Sequence, residues 1–155
     1  METAEIEQSL AGCEFFRGLE PSDLKNIATI CRVKAYETGE GVYQQGDFGE
    51  HLYVIADGKV VLERTMDIGP RQSRVVIDTL GKGRVFGCWS TLLNEPHIMM
   101  LKTFCQTPAT ILVLSGADLR DLMTRDTRFG FNVMENLCFL LRERIQAAYG
   151  AMEKI

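Results

Sequence analysis

The chain lacks most of the features that mark specialised protein classes. It has 4 prolines and 1 tryptophan in 155 residues, with no Pro/Ser-rich linker, repeat or low-complexity stretch. About 100–200 residues is one domain's worth, so residues 1–155 read as one folding unit. No apolar run approaches the ~18 residues that a bilayer-spanning helix needs. Positive charge is not in excess: 17 Lys and Arg stand against 21 Asp and Glu, a net charge of −4. That balance argues against direct nucleic-acid binding, which usually shows as a basic domain or stripe. The first residues, Met1 to Glu7, are acidic where a secretory signal would be basic, so a cytoplasmic location is expected. The 5 cysteines are odd in number and form no CxxC, which leaves no zinc-ribbon or iron–sulfur motif. They read as reduced, small, buried hydrophobes. What remains, 46% hydrophobic and 25% charged, is the composition of an ordinary globular domain.

The pattern along the chain runs helix, sheet, helix. A short helix is expected over residues 3–12, followed by the apolar connection Phe15 to Leu19. Glu20-Pro21-Ser22-Asp23 opens a second helix with Leu24, Ile27, Ala28 and Cys31 on one face. From Arg32 to Leu114 the chain turns to short β-rich runs broken by glycine. Strands are expected at Val42–Gln45, His51–Ala56, Lys59–Thr65, Val75–Leu80, His97–Phe104 and Thr110–Leu114. Asp57-Gly58 predicts a hairpin joining the second and third of these, and Asp67-Ile68-Gly69-Pro70 a further turn. Many short strands at this spacing imply a closed roll, sandwich or barrel.

After Leu114 the pattern is helical. Ser115 is suited to cap a helix whose third residue is Asp118. A longer helix is expected from about Thr127 to the end. In it Met134, Cys138, Leu141, Ile145, Ala148 and Met152 recur at spacings of 4, 3, 4, 3 and 4. That is a heptad stripe, and it predicts a helix that pairs with a second copy of the chain; a broad buried face on a monomer is the alternative. Arg142, Glu143 and Arg144 read as a mixed-sign, solvated helix face.

In this order and spacing the chain resembles the cyclic-nucleotide-binding domain family. These are the sensory modules of catabolite-activator-type regulators, protein kinase A regulatory subunits and gated channels. The residues that carry the likeness are Gly46-Asp47, Leu52 to Ile55 with Gly58 and Val60, and Gly83 with Phe86-Gly87. Phe16 and Leu24 precede them, and Ala109 to Leu122 follow. The resemblance implies a mainly β fold with flanking helices, an antiparallel β-roll or jelly roll. Short N-terminal helices would take residues 1–31, the roll 32–114 with a short phosphate-segment helix near 88–94, and the C-terminal helices 115–155.

It also implies a pocket, and there the sequence departs from the family. The family pattern is Phe-Gly-Glu-x-Ala/Ser-Leu, then Pro-Arg-Ser/Thr-Ala, in which the glutamate accepts a ribose hydroxyl and the arginine neutralises the phosphate. Phe86, Gly87, Ser90, Leu92 and Pro96 match. Cys88 stands at the glutamate position and His97 at the arginine position, with Ile98 and Met99 after it. The implied ligand-binding set is Phe86, Gly87, Cys88, Trp89, Ser90, His97, Ile98 and Met99, with Arg84 as the cation best placed in sequence to compensate. Three occupants stay open. One is cyclic nucleotide (cAMP or cGMP), held by backbone donors and weakened by the two replacements. Another is a less polar effector suited to Cys88, Trp89, Ile98 and Met99. The third is the protein's own side chains, in a dimeric scaffold. Haem on His97 and Cys88 is disfavoured, because a lone His and Cys nine residues apart make no ligation motif. No metal site and no catalytic constellation is written, so the expectation is a non-enzymatic sensor. The chain ends at Ile155, where relatives of this type continue into a DNA-binding domain. Output through the C-terminal helix to a separate protein is therefore expected.

Overall fold

The computed structural model describes residues 1–95 and 97–155. Two short helices open the chain: α1 (Thr3–Ala11) and, after a 3-10 turn at Glu14–Phe16, α2 (Pro21–Thr29). Each begins with a reciprocal capping box, Glu2 with Glu5 and Glu20 with Asp23. Pro21 sits in the first turn of α2, where its missing N–H costs no intrahelical bond.

Ten strands follow: β1 (Cys31–Tyr36), β2 (Gly41–Tyr43), β3 (Phe48–Gly49), β4 (His51–Asp57), β5 (Val60–Ile68), β6 (Arg71–Leu80), β7 (Val85–Gly87), β8 (His97–Ile98), β9 (Lys102–Cys105) and β10 (Ala109–Ser115). They form two four-stranded antiparallel sheets, β1-β10-β4-β7 and β2-β9-β5-β6, and a small β3-β8 pair. This is a jelly-roll order. Helices α3 (Gly116–Arg125) and α4 (Thr127–Met152) complete the chain. Ser115 Oγ accepts from the Asp118 N–H at 3.3 Å, and Asp126 accepts from the N–H groups of Arg128 and Phe129.

The expected hairpin at Asp57-Gly58 does not form. β4 pairs with β10 and β7, whereas β5 pairs with β6 and β9. Asp57-Gly58 is the corner at which the chain changes sheets. Gly58 has φ +94°, and a Cβ there would lie 2.5 Å from the Pro108 carbonyl oxygen. The corner needs glycine as a hairpin would, so the local signal could not tell the two apart. The Gly69-Pro70 turn does close a hairpin, between β5 and a β6 that starts four residues earlier than expected. The expected strand 97–104 is broken at Met99–Leu101, where Met99 bonds across to Gly46 and Asp47.

Alternation along the first sheet divides the core in two. Leu52, Val54, Leu112 and Leu114 face outward onto the helices, in a core with Phe15, Phe16, Ile27, Leu119 and Val133. Ile55, Ile111 and Val113 face inward, in a second core with Val60, Leu62, Leu80 and Phe86. α4 seals the first core with Phe129, Val133, Leu137 and Leu140. Asn136 fixes it there, donating to the carbonyls of Phe15 (3.0 Å) and Arg17 (2.9 Å).

Candidate functional site

The inner core does not fill the roll. Between β5, β6, the segment Phe86–Ser90, the rim His97–Leu101 and the second half of α4 lies a cavity of about 520 Å³, within the usual 300–1,000 Å³ range of small-molecule sites. Tyr43 and Phe86 line it with their rings 6.1 Å apart, and Tyr53, outside the lining, stacks on Phe86 at 5.1 Å. Burial pushes the phenol of Tyr53 up to about 12 and that of Tyr43 further still. Both are neutral hydrogen-bonding groups at physiological pH.

A bulge supplies one side. Leu62 pairs with Asp78 and Glu63 with Val76, so Ile77 is an extra residue in β6. Ile77 lines the cavity, and the strand resumes with Asp78 facing the arginines of the neighbouring elements.

The segment after β7 supplies another side. Gly87 has φ +131°, and a Cβ there would meet the His51 carbonyl oxygen at 2.6 Å, so only glycine lets β7 run so close to β4. Cys88 follows, buried, its Sγ 3.4 Å from Ser90 Oγ and 3.9 Å from the His97 carbonyl oxygen. Trp89 opens a 3-10 turn to Leu93 and packs edge-on against Phe15 at 5.6 Å. It thus touches the helical core and the cavity together.

Of the nine residues that the resemblance implies, Phe86, Gly87, Cys88, Trp89, Ser90, His97, Ile98 and Met99 all line this cavity. Pro96, another match to the family pattern, lies outside the described residues. Arg84 does not line the cavity. Its guanidinium is held by Glu14 at 2.9 Å and lies 3.6 Å from Glu143 and 4.0 Å from Asp78. Proximity in sequence suggested it, but Arg84, just before β7, is taken up by these carboxylates.

Arg144 was expected in solvent and is instead a cavity residue, with its side chain 12% exposed. It donates to the Val85 carbonyl oxygen, and its Nη1 lies 3.5 Å from Asp78. The mixed-sign rule failed because α4 turns this position onto the roll while Arg142 remains on the outer face. Arg64 lines the rim and donates to the Met100 carbonyl oxygen at 2.7 Å. Leu141, Ile145 and Ala148, three members of the heptad stripe, also border the cavity. Met134, a fourth, packs on the helical core, while Cys138 and Met152 are exposed. Among the described residues no group of three His, Cys, Asp or Glu could hold a metal ion, and no helix is long and apolar enough to cross a membrane.

The model of the cyclic nucleotide-binding domain family matches residues 33–126. The cyclic AMP receptor protein of Thermus thermophilus is 34% identical over 139 residues, which is 90% of this chain and 60% of that protein. The chain thus spans less than two thirds of that relative's length. A cyclic nucleotide-binding domain from Methylobacillus flagellatus superposes with a TM-score of 0.79 at 20% identity, over 99% of this chain and 84% of that one. The regulatory domain of Toxoplasma gondii protein kinase A, crystallised with cAMP, gives 0.74 at 18% identity, over 91% of this chain and 50% of that one. At those identities the two structures establish likeness of fold.

Proposed function

The chain belongs to the cyclic nucleotide-binding domain family, and from that premise we propose that it is a non-enzymatic sensor of a small molecule. The effector occupies the cavity, and the response is a change in how residues 141–152 of α4 pack on the roll. The observation that carries this reading is the cavity itself, because its walls come from both the roll and α4. A ligand that touches both can bias one packing of the helix over another by its differential affinity for the two.

Cyclic nucleotide is not the favoured occupant. Position 88 offers a buried thiol where the family's glutamate would accept a ribose hydroxyl, and position 97 offers an imidazole in place of a guanidinium. Each charge-assisted hydrogen bond contributes about 1.5–3 kcal/mol, and about 1.4 kcal/mol is tenfold in affinity. Losing both weakens cAMP or cGMP by about a hundredfold or more.

The response passes to other chains. Phe131, Cys138, Ile145 and Met152 recur every seven residues and are exposed, Phe131 by 72% and Met152 by 56%. A stripe of this kind fits a second copy of α4 in a homodimer, with a separate output protein downstream. Five free thiols support a cytoplasmic setting.

Thermal melting with cAMP, cGMP, 4-phenylbutyrate and 4-phenylbutan-1-ol tests the sensor, with Ala148→Phe as the variant that fills the cavity from α4. The expected result is a shift with at least one compound that Ala148→Phe abolishes. Overturning it would take no shift with any compound, together with a higher melting temperature for Ala148→Phe. A shift with micromolar cAMP would contradict the loss of nucleotide anchors.

A further inference from the structure

The cavity is largely apolar, with Leu62, Ile77, Ile98, Met99, Leu101 and Ile145 among its walls, and among the described residues no carboxylate lines it. Two arginines do. Arg64 is engaged by the Met100 carbonyl at the rim. Arg144 sits deeper and is less well satisfied.

The charges around Arg144 explain why. Glu14 and Glu143 lie against Arg84, at 2.9 and 3.6 Å. Asp78 is shared, 4.0 Å from Arg84 and 3.5 Å from Arg144. The contact to Arg144 is an ion pair without hydrogen-bond geometry: among the described residues Nη1 of Arg144 is buried and has no hydrogen-bond partner. Burial, and then the neighbouring Arg84, pull the pKa of Arg144 below its ordinary value. Glu14 and Asp78 oppose them, so what Arg144 lacks is not net counter-charge but a hydrogen-bond acceptor for Nη1. A buried donor without an acceptor costs about 1–3 kcal/mol, and an anion at the Arg144 end of the cavity would relieve it.

We propose that the effector is an amphipathic monoanion, an aryl or alkyl carboxylate, with its carboxylate on Arg144 and its apolar body between Ile77 and Ile145. This rests on the reading that the cavity takes an effector, and it adds the effector's chemical class. A ribose and a purine would bring several polar groups to walls that offer them few partners. A single anionic head on an apolar body has one partner to find and finds it. Because Arg144 lies on α4, that contact ties the ligand's charge directly to the helix that moves.

Trp89, the chain's 1 tryptophan, borders the cavity and reports binding through its fluorescence. The test is titration of the full chain with 4-phenylbutyrate, its neutral counterpart 4-phenylbutan-1-ol, and cAMP, for wild type and Arg144→Gln. The acid is expected to bind at least about tenfold more tightly than the alcohol, the size of one charge-assisted hydrogen bond. Arg144→Gln is expected to bring the two within about twofold of each other. Equal binding of acid and alcohol to wild type overturns the proposal and leaves the sensor reading intact, and this comparison needs no variant. cAMP binding more tightly than the acid overturns it as well, as does an Arg144→Gln protein that keeps the preference. If none of the three binds, the proposal falls, and the sensor reading falls with it where Ala148→Phe also melts higher than wild type.

Discussion

Residues 127–140 and 141–152 form one unbroken helix, but only the first stretch presents a row of large apolar side chains to the core; the second is tied to the roll mainly by Arg144, which donates to the Val85 carbonyl oxygen and pairs with Asp78. Phe129, Val133, Leu137 and Leu140 are buried, and Asn136 ties their turn to the N-terminal segment. In the second stretch Leu141, Ile145, Tyr149 and Met152 are exposed, and Leu141, Ile145 and Ala148 border the cavity. Ala151 is the buried apolar residue there. On the proposed reading the first half is the fixed part of the helix, and the packing of the second depends on what is bound. Low local burial is the physical content of such mobility.

The widest separation should come from truncating large side chains. Phe129→Ala is expected to cost about 3–5 kcal/mol of stability in urea unfolding. Ile145→Ala should cost less than about 1 kcal/mol in the monomer, since its side chain is half exposed. Equal losses would erase the distinction between the halves.

The two glycines of α4, Gly130 and Gly150, offer a smaller and opposite pair of effects. A Cβ on Gly130 would lie 2.6 Å from the Met123 carbonyl oxygen, where α3 passes close to α4. Gly130→Ala is therefore expected to destabilise by about 1–3 kcal/mol. Nothing lies within 4 Å of a Cβ on Gly150. Gly150→Ala should stabilise by up to about 1 kcal/mol, the helix-propensity gain alone. If Gly150→Ala is as damaging as Gly130→Ala, the second half is packed after all.

A further effect is one of pH, confined to the alkaline range. Burial pushes the thiols of Cys13 and Cys31, in and against the helical core, up to about 12 from 9.0. A raised thiol pKa keeps the folded form neutral while the unfolded chain ionises, so stability falls as pH climbs from about 9 towards 12. Below pH 9 these two cysteines should resist a thiol reagent, and exposed Cys138 should react first. Mass spectrometry of partially labelled protein reads the order.

What the sequence made legible follows from locality. The stripe from Met134 to Met152 repeats within one helix, and Ser115 caps over three residues, so both could be read without knowing the rest of the chain. Gly87 to Met99 could be matched to a pocket because the family pattern is a short contiguous run. The sheet change at Gly58 was invisible because a corner and a hairpin make the same demand for glycine. Arg84 and Arg144 were misassigned for a related reason. Which of the two faces the cavity is set by a bulge at Ile77 and by the rotation of α4 against β6 and β7. Those are contacts between elements some 60 residues apart in the chain, and no local spacing encodes them.

Hydrogen exchange along α4, with and without saturating 4-phenylbutyrate, tests the central claim most directly. The account predicts slow exchange at 129–140 in both states, and fast exchange at 141–152 that the ligand slows together with segment 86–101. Exchange that is equally slow along the whole helix without ligand, or unchanged at 141–152 with it, would contradict a helix divided between a fixed half and a sensing half.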